Sequence, residues 1–260
     1  METIIIRGGG DLATGIAYKL HKSGYKVIIL EIDKPLTVRR AVAFSEAVYE
    51  KEVVVEGIKG ILAKDKEEIY GIWDLDAIPV YIDRKGDIIK EIKPSVVVDA
   101  IIAKVNLGTT KDMAPITIGI GPGFEAGVDV DLVIESNRSP NLGKIIYNGK
   151  AAENTGIPGE VMGYTEERVL WAPSSGVVKA FYNIGDKVKK GDIICQVGDK
   201  EVIAKFDGIL RGMIKEGLFV HQGLKIGDID PRCIRKYAFT ISDKAKIIGD
   251  GVLNIIRREK

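Results

Sequence analysis

The stretch 3–15 constrains this chain most, because its residue types follow the order strand, glycine turn and helix. A run of apolar, mostly β-branched residues leads into consecutive glycines, and apolar positions at helical spacing follow. Read as G-x-G-x-x-A, the stretch uses Gly8 for a tight turn, Gly10 for the approach of a pyrophosphate and Ala13 for close packing of helix on strand. The pattern predicts a nucleotide-binding turn, with a turn that serves only packing as the alternative.

A second predicted strand strengthens the nucleotide interpretation. It spans 26–30 and is followed by Glu31, at the spacing where an acidic side chain binds a ribose hydroxyl, which favours a free ribose. Arg39 and Arg40 further along favour a 2′-phosphate instead, so NAD and NADP both remain open. Asp11 adds negative charge beside any phosphate, and Arg7 is placed to offset it. The candidate cofactor-binding residues of this region are Gly8, Gly9, Gly10, Asp11, Ala13, Thr14, Glu31, Arg39 and Arg40.

Composition and charge argue against several classes of protein. The 260 residues suffice for one large or two modest domains, and 38 Lys plus Arg against 37 Asp plus Glu leave a net charge near zero. That balance argues against a general nucleic-acid binder or a binder of acidic membranes. No apolar run approaches the ~18 residues of a membrane span, and no signal-peptide pattern is evident. We therefore expect a cytoplasmic protein.

The cysteines and histidines limit metal and redox chemistry. Cys195 and Cys233 are too few for a disulfide framework or a four-thiolate metal site. His21 and His221 lie in no evident ligand cluster, so we expect no bound metal. Any selenium or sulfur carrier would have to be Cys195 or Cys233, and the pattern assigns no catalytic residue.

Polar residues and glycines follow further predicted strands. The runs 95–98 and 116–120 read as buried parallel strands, and a short strand over 131–135 follows them. Binding groups in open α/β sheets gather beyond such carboxyl ends. The candidate ligand contacts there are Lys104, Asn106, Gly121, Gly123 and Arg138. A solvated loop is the alternative for Lys104 and Asn106, and a structural salt bridge is the alternative for Arg138.

The region from about residue 169 contains an internal repeat. The stretch 176–194 aligns without gaps with the stretch 208–226, and glycines, a valine and an isoleucine occupy equivalent positions in both. Related halves of this kind resemble the barrel-sandwich hybrid of biotinyl and lipoyl domains, which implies a small all-β domain. The hairpin between the halves lacks the methionine-flanked lysine of a carrier domain, so Lys200 is expected to be an ordinary turn residue. The domain is therefore expected to serve docking.

Together these patterns predict an α/β fold class: a Rossmann-like parallel sheet domain plus an all-β barrel-sandwich hybrid (biotinyl/lipoyl-like) domain. The expected boundaries are 1–165 for the α/β domain and 166–232 for the barrel. Residues 233–260 form a C-terminal segment with an amphipathic helix, which we expect to pack back on the α/β domain.

Five motifs, taken in order along nearly the whole chain, resemble one known family. They are Arg7-Gly-Gly-Gly-Asp-Leu-Ala-Thr-Gly15, Asp99-Ala-Ile-Ile-Ala-Lys104-Val-Asn106, Gly119-Ile-Gly-Pro-Gly-Phe124, Lys225-Ile-Gly-Asp-Ile-Asp-Pro-Arg232 and Ser242-Asp-Lys-Ala245. The family is the accessory proteins of the selenium-dependent molybdenum hydroxylase system, distantly similar to xanthine dehydrogenase maturation factors. The resemblance implies an accessory or maturation protein that helps install or protect the molybdenum cofactor of a client hydroxylase.

Three functions therefore compete at this stage. The first is that maturation factor, which would bind a nucleotide or a molybdopterin dinucleotide and dock its client molybdenum hydroxylase through the barrel. The second is an NAD(P)-binding oxidoreductase, although no Tyr-x-x-x-Lys pair or well-placed histidine supplies a proton donor. The third is a non-catalytic interaction module with a vestigial nucleotide fold. A homodimer is the default expectation for any of them.

Overall fold

The computed structural model describes residues 2–259, which divide into two compact units. The larger unit comprises Met1–Pro35, Ala43–Thr155 and Ile241–Lys260. The smaller unit comprises Leu36–Val42 and Gly156–Thr240. Each unit is described by itself below.

The larger unit is built on one broad sheet whose central strands are apolar and buried. Its strands in chain order are β1 (Thr3–Arg7), β2 (Lys26–Glu31), β3 (Glu52–Val55), β4 (Ile58–Ala63), β5 (Ile78–Ile82), β6 (Val96–Asp99), β7 (Ile116–Ile120), β8 (Glu125–Ala126), β9 (Leu132–Ile134), β10 (Ile145–Ile146) and β11 (Gly149–Lys150). All except the β8–β11 pair form a sheet in the order β10-β9-β7-β6-β1-β2-β5-β4-β3. From β1 the chain passes to β2 and then to the edge strand β3, and it returns through β4 to β5 beside β2. It then continues at β6, on the other side of β1. The direction of winding therefore reverses between β1 and β6, and a crevice is expected at such a reversal.

The sheet is mixed, which corrects the expectation of a parallel sheet. Strands β1, β2, β4, β5, β6, β7 and β9 are parallel, whereas β3 pairs antiparallel with β4 and β10 pairs antiparallel with β9 at the two edges. The β3–β4 connection is a hairpin whose turn residues, Glu56 and Gly57, have φ angles of 46° and 84°. Positive φ at both central positions matches the twist of a tight antiparallel hairpin. This short connection is the physical reason that the edge is antiparallel.

The helices of the larger unit are α1 (Asp11–Lys22), α2 (Ala47–Glu50), α3 (Lys66–Asp74), α4 (Ile89–Ile92) and α5 (Asp243–Arg258). The C-terminal helix α5 packs closely on α1 through small residues. A β-carbon at Gly15 would lie only 2.6 Å from that of Ala245, and one at Gly249 would lie 2.9 Å from the carbonyl oxygen of Gly15. Ser242 begins α5 by accepting a hydrogen bond from the Ala245 amide at 3.2 Å.

The smaller unit is all-β and has its own apolar core. Its strands are β12 (Val169–Trp171), β13 (Gly176–Ala180), β14 (Lys187–Val188), β15 (Ile193–Val197), β16 (Lys200–Ile203), β17 (Gly208–Met213), β18 (Phe219–Val220) and β19 (Lys225–Asp230). They form two four-stranded antiparallel sheets, in the orders β12-β19-β17-β14 and β16-β15-β13-β18.

The predicted barrel-sandwich hybrid domain is not found. Within residues 2–259 the two sheets of the smaller unit do not close into a barrel, and they do not establish a biotinyl or lipoyl-like domain. The repeated glycines explain why the prediction was wrong. Gly185 and Gly217, like Gly191 and Gly223, all have positive φ, so the repeat marks equivalent turns. Equivalent turns do not specify how the strands between them pair, and β13 and β17 lie in different sheets.

Candidate functional site

The glycine turn after β1 is held by a carboxylate from the end of β2. Gly8 has a φ of 94°, and its amide donates to the carbonyl oxygen of Leu30 at 2.8 Å. The Gly9 amide donates to Oε2 of Glu31 at 2.8 Å, and the Ile32 amide donates to Oε1 at the same distance. Burial raises the pKa of the Glu31 carboxyl, and these two backbone hydrogen bonds oppose the rise. Glu31 is therefore a positioned carboxylate at the carboxyl edge of the sheet.

Segment 43–46 covers the other side of the glycine turn. The Ser45 amide donates to the carbonyl oxygen of Gly9 at 2.9 Å, and the Phe44 amide donates to Oγ1 of Thr14 at 2.9 Å. Ala13 and Thr14 are completely buried, and Gly9 is also buried. Of the residues predicted in the turn and first helix, Gly10 and Asp11 remain partly accessible, with Gly10 at the N-cap of α1. Ala13 and Thr14 thus act here as packing residues.

A cleft of about 360 Å³ lies beside Glu31 at the carboxyl ends of β1, β2 and β5. Its volume falls in the usual range for a small-molecule site. Its walls combine apolar side chains with a few charged groups. The lining includes Gly8, Leu30, Glu31, Asp83, Ile101 and Leu107.

Arg7, which contributes to the lining of the cleft, belongs to a buried ionic group that the sequence interpretation missed. Arg7, at the end of β1, lies 3.5 Å through Nη1 from Oδ2 of Asp99, which ends β6 at the same register. Arg7 Nη1 also donates to the hydroxyl of Thr109, and that hydroxyl donates to Asp99 Oδ2 at 2.5 Å. Arg7 is 3% exposed and Asp99 2%. Burial raises the pKa of Asp99, although the hydrogen bonds of Thr109 and Ile101 and the charge of Arg7 oppose that rise. The signal in the sequence that could have predicted this pair is that Arg7 and Asp99, of opposite charge, each stand at the end of a predicted strand.

The loop 100–108 brings several predicted residues together. Asn106 folds this loop, because its Oδ1 accepts from the Gly108 and Thr109 amides at 2.9 and 2.8 Å and its Nδ2 donates to the Thr109 carbonyl at 2.8 Å. Gly123, in the turn after β7, faces the loop: a β-carbon there would lie 2.8 Å from the amide nitrogen of Val105 and 2.9 Å from the carbonyl carbon of Lys104. Lys104 and Gly123 are therefore neighbours through their backbones, and Asn106 is committed to the loop itself.

The remaining predicted residues lie elsewhere. Gly121 has a φ of 76° and donates its amide to the carbonyl oxygen of Ile134 at 2.8 Å, so it shapes the turn. Arg138 is exposed in the loop after β9. Arg39 and Arg40 belong to the smaller unit, and their role at a 2′-phosphate stays a prediction.

Those two arginines bind backbone carbonyls of the smaller unit. Arg39 Nη2 donates to the carbonyl oxygens of Tyr237 and Thr240 at 3.0 and 2.9 Å, and Arg40 Nε donates to that of Met213 at 2.8 Å. Their side chains thus fasten segment 36–42 to the rest of that unit.

The arrangement of the acidic, histidine and cysteine side chains bears on metal binding and thiol chemistry. Residues 2–259 contain no group of three or more His, Cys, Asp or Glu side chains arranged to hold a metal ion. Burial raises the pKa of the Cys195 thiol to about 12, which keeps it protonated, whereas Cys233 is exposed. Among residues 2–259, no helix is both long and apolar enough to cross a bilayer.

Comparison with known proteins gives one close relative. No family model matches the chain. It is 47% identical over 255 residues to a protein of Escherichia coli K12 named "Uncharacterized protein YqeB". The match covers 98% of this chain and 47% of the relative, so the chain spans about half the length of that protein.

The solved structures found by comparison are much more distant. An ectoine utilization protein, EutE (DoeB), from Ruegeria pomeroyi has a TM-score of 0.27 and 10% identity, with 88% of this chain and 85% of that chain covered. An aspartoacylase family protein from Mesorhizobium loti gives 0.27 and 11%, with 88% and 84% covered. A succinylglutamate desuccinylase/aspartoacylase from Rhodobacter sphaeroides gives 0.24 and 15%, with 33% and 29% covered. At these TM-scores we draw no argument from the likeness.

These findings correct the suspected family and function. The relative is named as an uncharacterised protein, and neither it nor any structure described above is named as a molybdenum hydroxylase accessory protein. The identification as a selenium-dependent molybdenum hydroxylase maturation protein was therefore wrong. The function and client enzyme inferred from it are not carried forward.

Proposed function

We propose that the larger unit binds a small ligand containing a nucleoside, with the ribose at Glu31 and the base in the cleft beside it. The observation that carries this proposal is the Glu31 carboxylate, held by the Gly9 and Ile32 amides on the wall of the cleft. An ionised carboxylate accepts about four hydrogen bonds, and these amides use two of them. The remaining capacity suits a pair of ribose hydroxyls.

The rest of the cleft suits a flat apolar base. Leu30, Ile32, Ile101 and Leu107 contribute apolar lining, and the carboxylate of Asp83 is already engaged. Asp83 accepts from the amides of the following turn, at 2.9 Å for each oxygen. Glu31 is therefore the group in the cleft best placed to recognise the sugar.

Binding can be tested by calorimetry with adenosine, guanosine, cytidine and uridine on the wild-type chain and on Glu31→Gln. The substitution replaces an acceptor oxygen with an amide donor beside a backbone amide, and hydrogen bonds to a charged group contribute about 1.5–3 kcal/mol. We expect at least one nucleoside to bind and Glu31→Gln to lose ~10- to 100-fold in affinity. Glu67→Gln, at an exposed position of α3, is the matched control and should bind as the wild type does. Absence of binding by every nucleoside refutes the proposal.

We also expect the protein to act in the cytoplasm and to form a homodimer. The composition supports the location, because two cysteines without a disulfide framework are typical of reducing compartments. Symmetry statistics alone support the dimer. Light scattering during gel filtration would measure the assembly directly.

A further inference from the structure

We infer that the loop 100–108 limits the cleft to a single nucleoside or mononucleotide and excludes dinucleotides. This inference rests on the proposed function and specifies the size of its ligand. Its basis is that the loop's own backbone occupies the crevice where the direction of sheet winding reverses, between the carboxyl ends of β1 and β6. In open α/β sheets a dinucleotide crosses that crevice.

The loop is fixed at both ends by the same buried group. It leaves Asp99 at the end of β6 and returns at Thr109, whose hydroxyl bonds the Asp99 carboxylate at 2.5 Å. Thr109 is completely buried. A segment whose ends meet in this way, with internal bonds supplied by Asn106, is a compact Ω-type loop.

The loop lies directly on both glycine turns. A β-carbon at Gly8, after β1, would lie 3.0 Å from the carbonyl oxygen of Ala100 and 3.0 Å from the Ile101 amide nitrogen. A β-carbon at Gly123, after β7, would lie 2.8 Å from the Val105 amide nitrogen. Because Gly8 and Gly123 carry no side chain, the backbone of the loop 100–108 has room to lie where a diphosphate and a second nucleoside would be expected.

The loop keeps this position with a strained backbone. Ile102 has a φ of 60° and Lys104 a φ of 67°, both in the left-handed region. A β-branched residue rarely adopts that region, and strained residues persist where their surroundings hold them. The anchors at Asp99 and Thr109 supply that restraint, and the side chains of Ile101 and Leu107 line the space that remains. That space, about 360 Å³, lies at the lower end of the range for ligand pockets.

The test compares each nucleoside monophosphate with the symmetrical dinucleoside diphosphate of the same base, by calorimetry. For the base that binds the wild-type chain, we expect the dinucleotide to bind at least tenfold more weakly. Gly123→Ala should push the loop outward at 104–105 and reduce that ratio about tenfold. Gly127→Ala is the matched control, because Gly127 also has a positive φ, 84°, but its β-carbon would meet no atom within 4 Å. It should leave the ratio unchanged.

A second variant tests the inference independently, in case Gly123→Ala does not fold. Replacing 102–106 with Gly-Ser-Gly keeps Ile101 and Leu107 in the lining of the cleft, shortens the loop in the crevice and should also allow the dinucleotide to bind. Equal affinity of the wild type for both ligands overturns the inference and leaves the proposed function standing. An unchanged ratio in both folded loop variants overturns it as well. Absence of binding by wild type and both variants overturns the proposed function and this inference together, whereas dinucleotide binding by the loop variants alone supports both.

Discussion

Replacing Arg7 with methionine tests how much the buried ionic group contributes to the larger unit. The substitution keeps much of the side-chain volume but leaves the Asp99 carboxylate, 2% exposed, without the cation 3.5 Å away. Breaking a buried pair in this way costs about 3–5 kcal/mol, because an uncompensated charge remains. For a unit of this size each kcal/mol lowers the melting temperature by ~2–4 °C, so the expected decrease is ~6–20 °C. Calorimetry of wild type and Arg7→Met would measure it.

The pH dependence provides an independent check on the mechanism. Burial already raises the pKa of Asp99 above its ordinary value of 3.8, so the folded state binds this proton more readily than the unfolded chain does. The contribution of Asp99 to stability therefore falls as the pH rises through the window between 3.8 and the raised pKa. Removing Arg7 raises the folded pKa further and widens that window. The loss of stability of Arg7→Met relative to the wild type should be small at about pH 4 and should grow toward about pH 7.

A second substitution separates charge from packing. In the double variant Arg7→Met/Asp99→Asn the buried charge is gone, so much of the lost stability should return. The Thr109 hydroxyl can still bond the carboxamide introduced at position 99 in that variant, which keeps the loop anchor in place. A loss below about 1 kcal/mol for Arg7→Met, or a double variant no more stable than the single one, would show that the group is not an energetically coupled pair.

Three further predictions concern other parts of the chain. On the native protein a thiol reagent at about pH 8 should label the exposed Cys233 and spare Cys195, whose pKa is raised to about 12; labelling of both, read by mass spectrometry, would contradict the burial. Gly15→Ala should destabilise the protein by ~1–3 kcal/mol, because the added β-carbon overlaps α5. Gly71→Ala, at an open position on α3, should stabilise it by ~0.5–1 kcal/mol. Equal effects of the two substitutions in denaturant unfolding would refute the close contact between α1 and α5. Nucleoside binding should strengthen as the pH rises through the Glu31 pKa, which burial holds above 4.5, and a flat profile would argue against a carboxylate acceptor.

Local elements were predictable from the sequence, and long-range arrangement was not. The strand, turn and helix at the N-terminus lie where the pattern placed them, as β1 and α1 with Gly10 at the N-cap, because these choices depend on neighbouring residues. The last helix, capped by Ser242, likewise lies within the segment 233–260 where an amphipathic helix was expected. The partners of Arg39 lie 198 and 201 residues further along the chain, at Tyr237 and Thr240. No local sequence pattern reveals such a contact, so these partners of Arg39 could not be predicted.

The glycine turn shows why a correctly placed motif still leaves its purpose open. Glycine at position 8 is required for two reasons, a φ of 94° and an approach of other atoms within 3.0 Å of an added β-carbon. A phosphate and a backbone loop make the same demand, because each needs the space that a side chain would fill. In this chain the approaching atoms belong to Ala100 and Ile101, which follow β6 far along the sequence. The glycine motif therefore predicts only that no side chain fills this space. The path of the loop 100–108 shows that backbone atoms of the chain itself lie there.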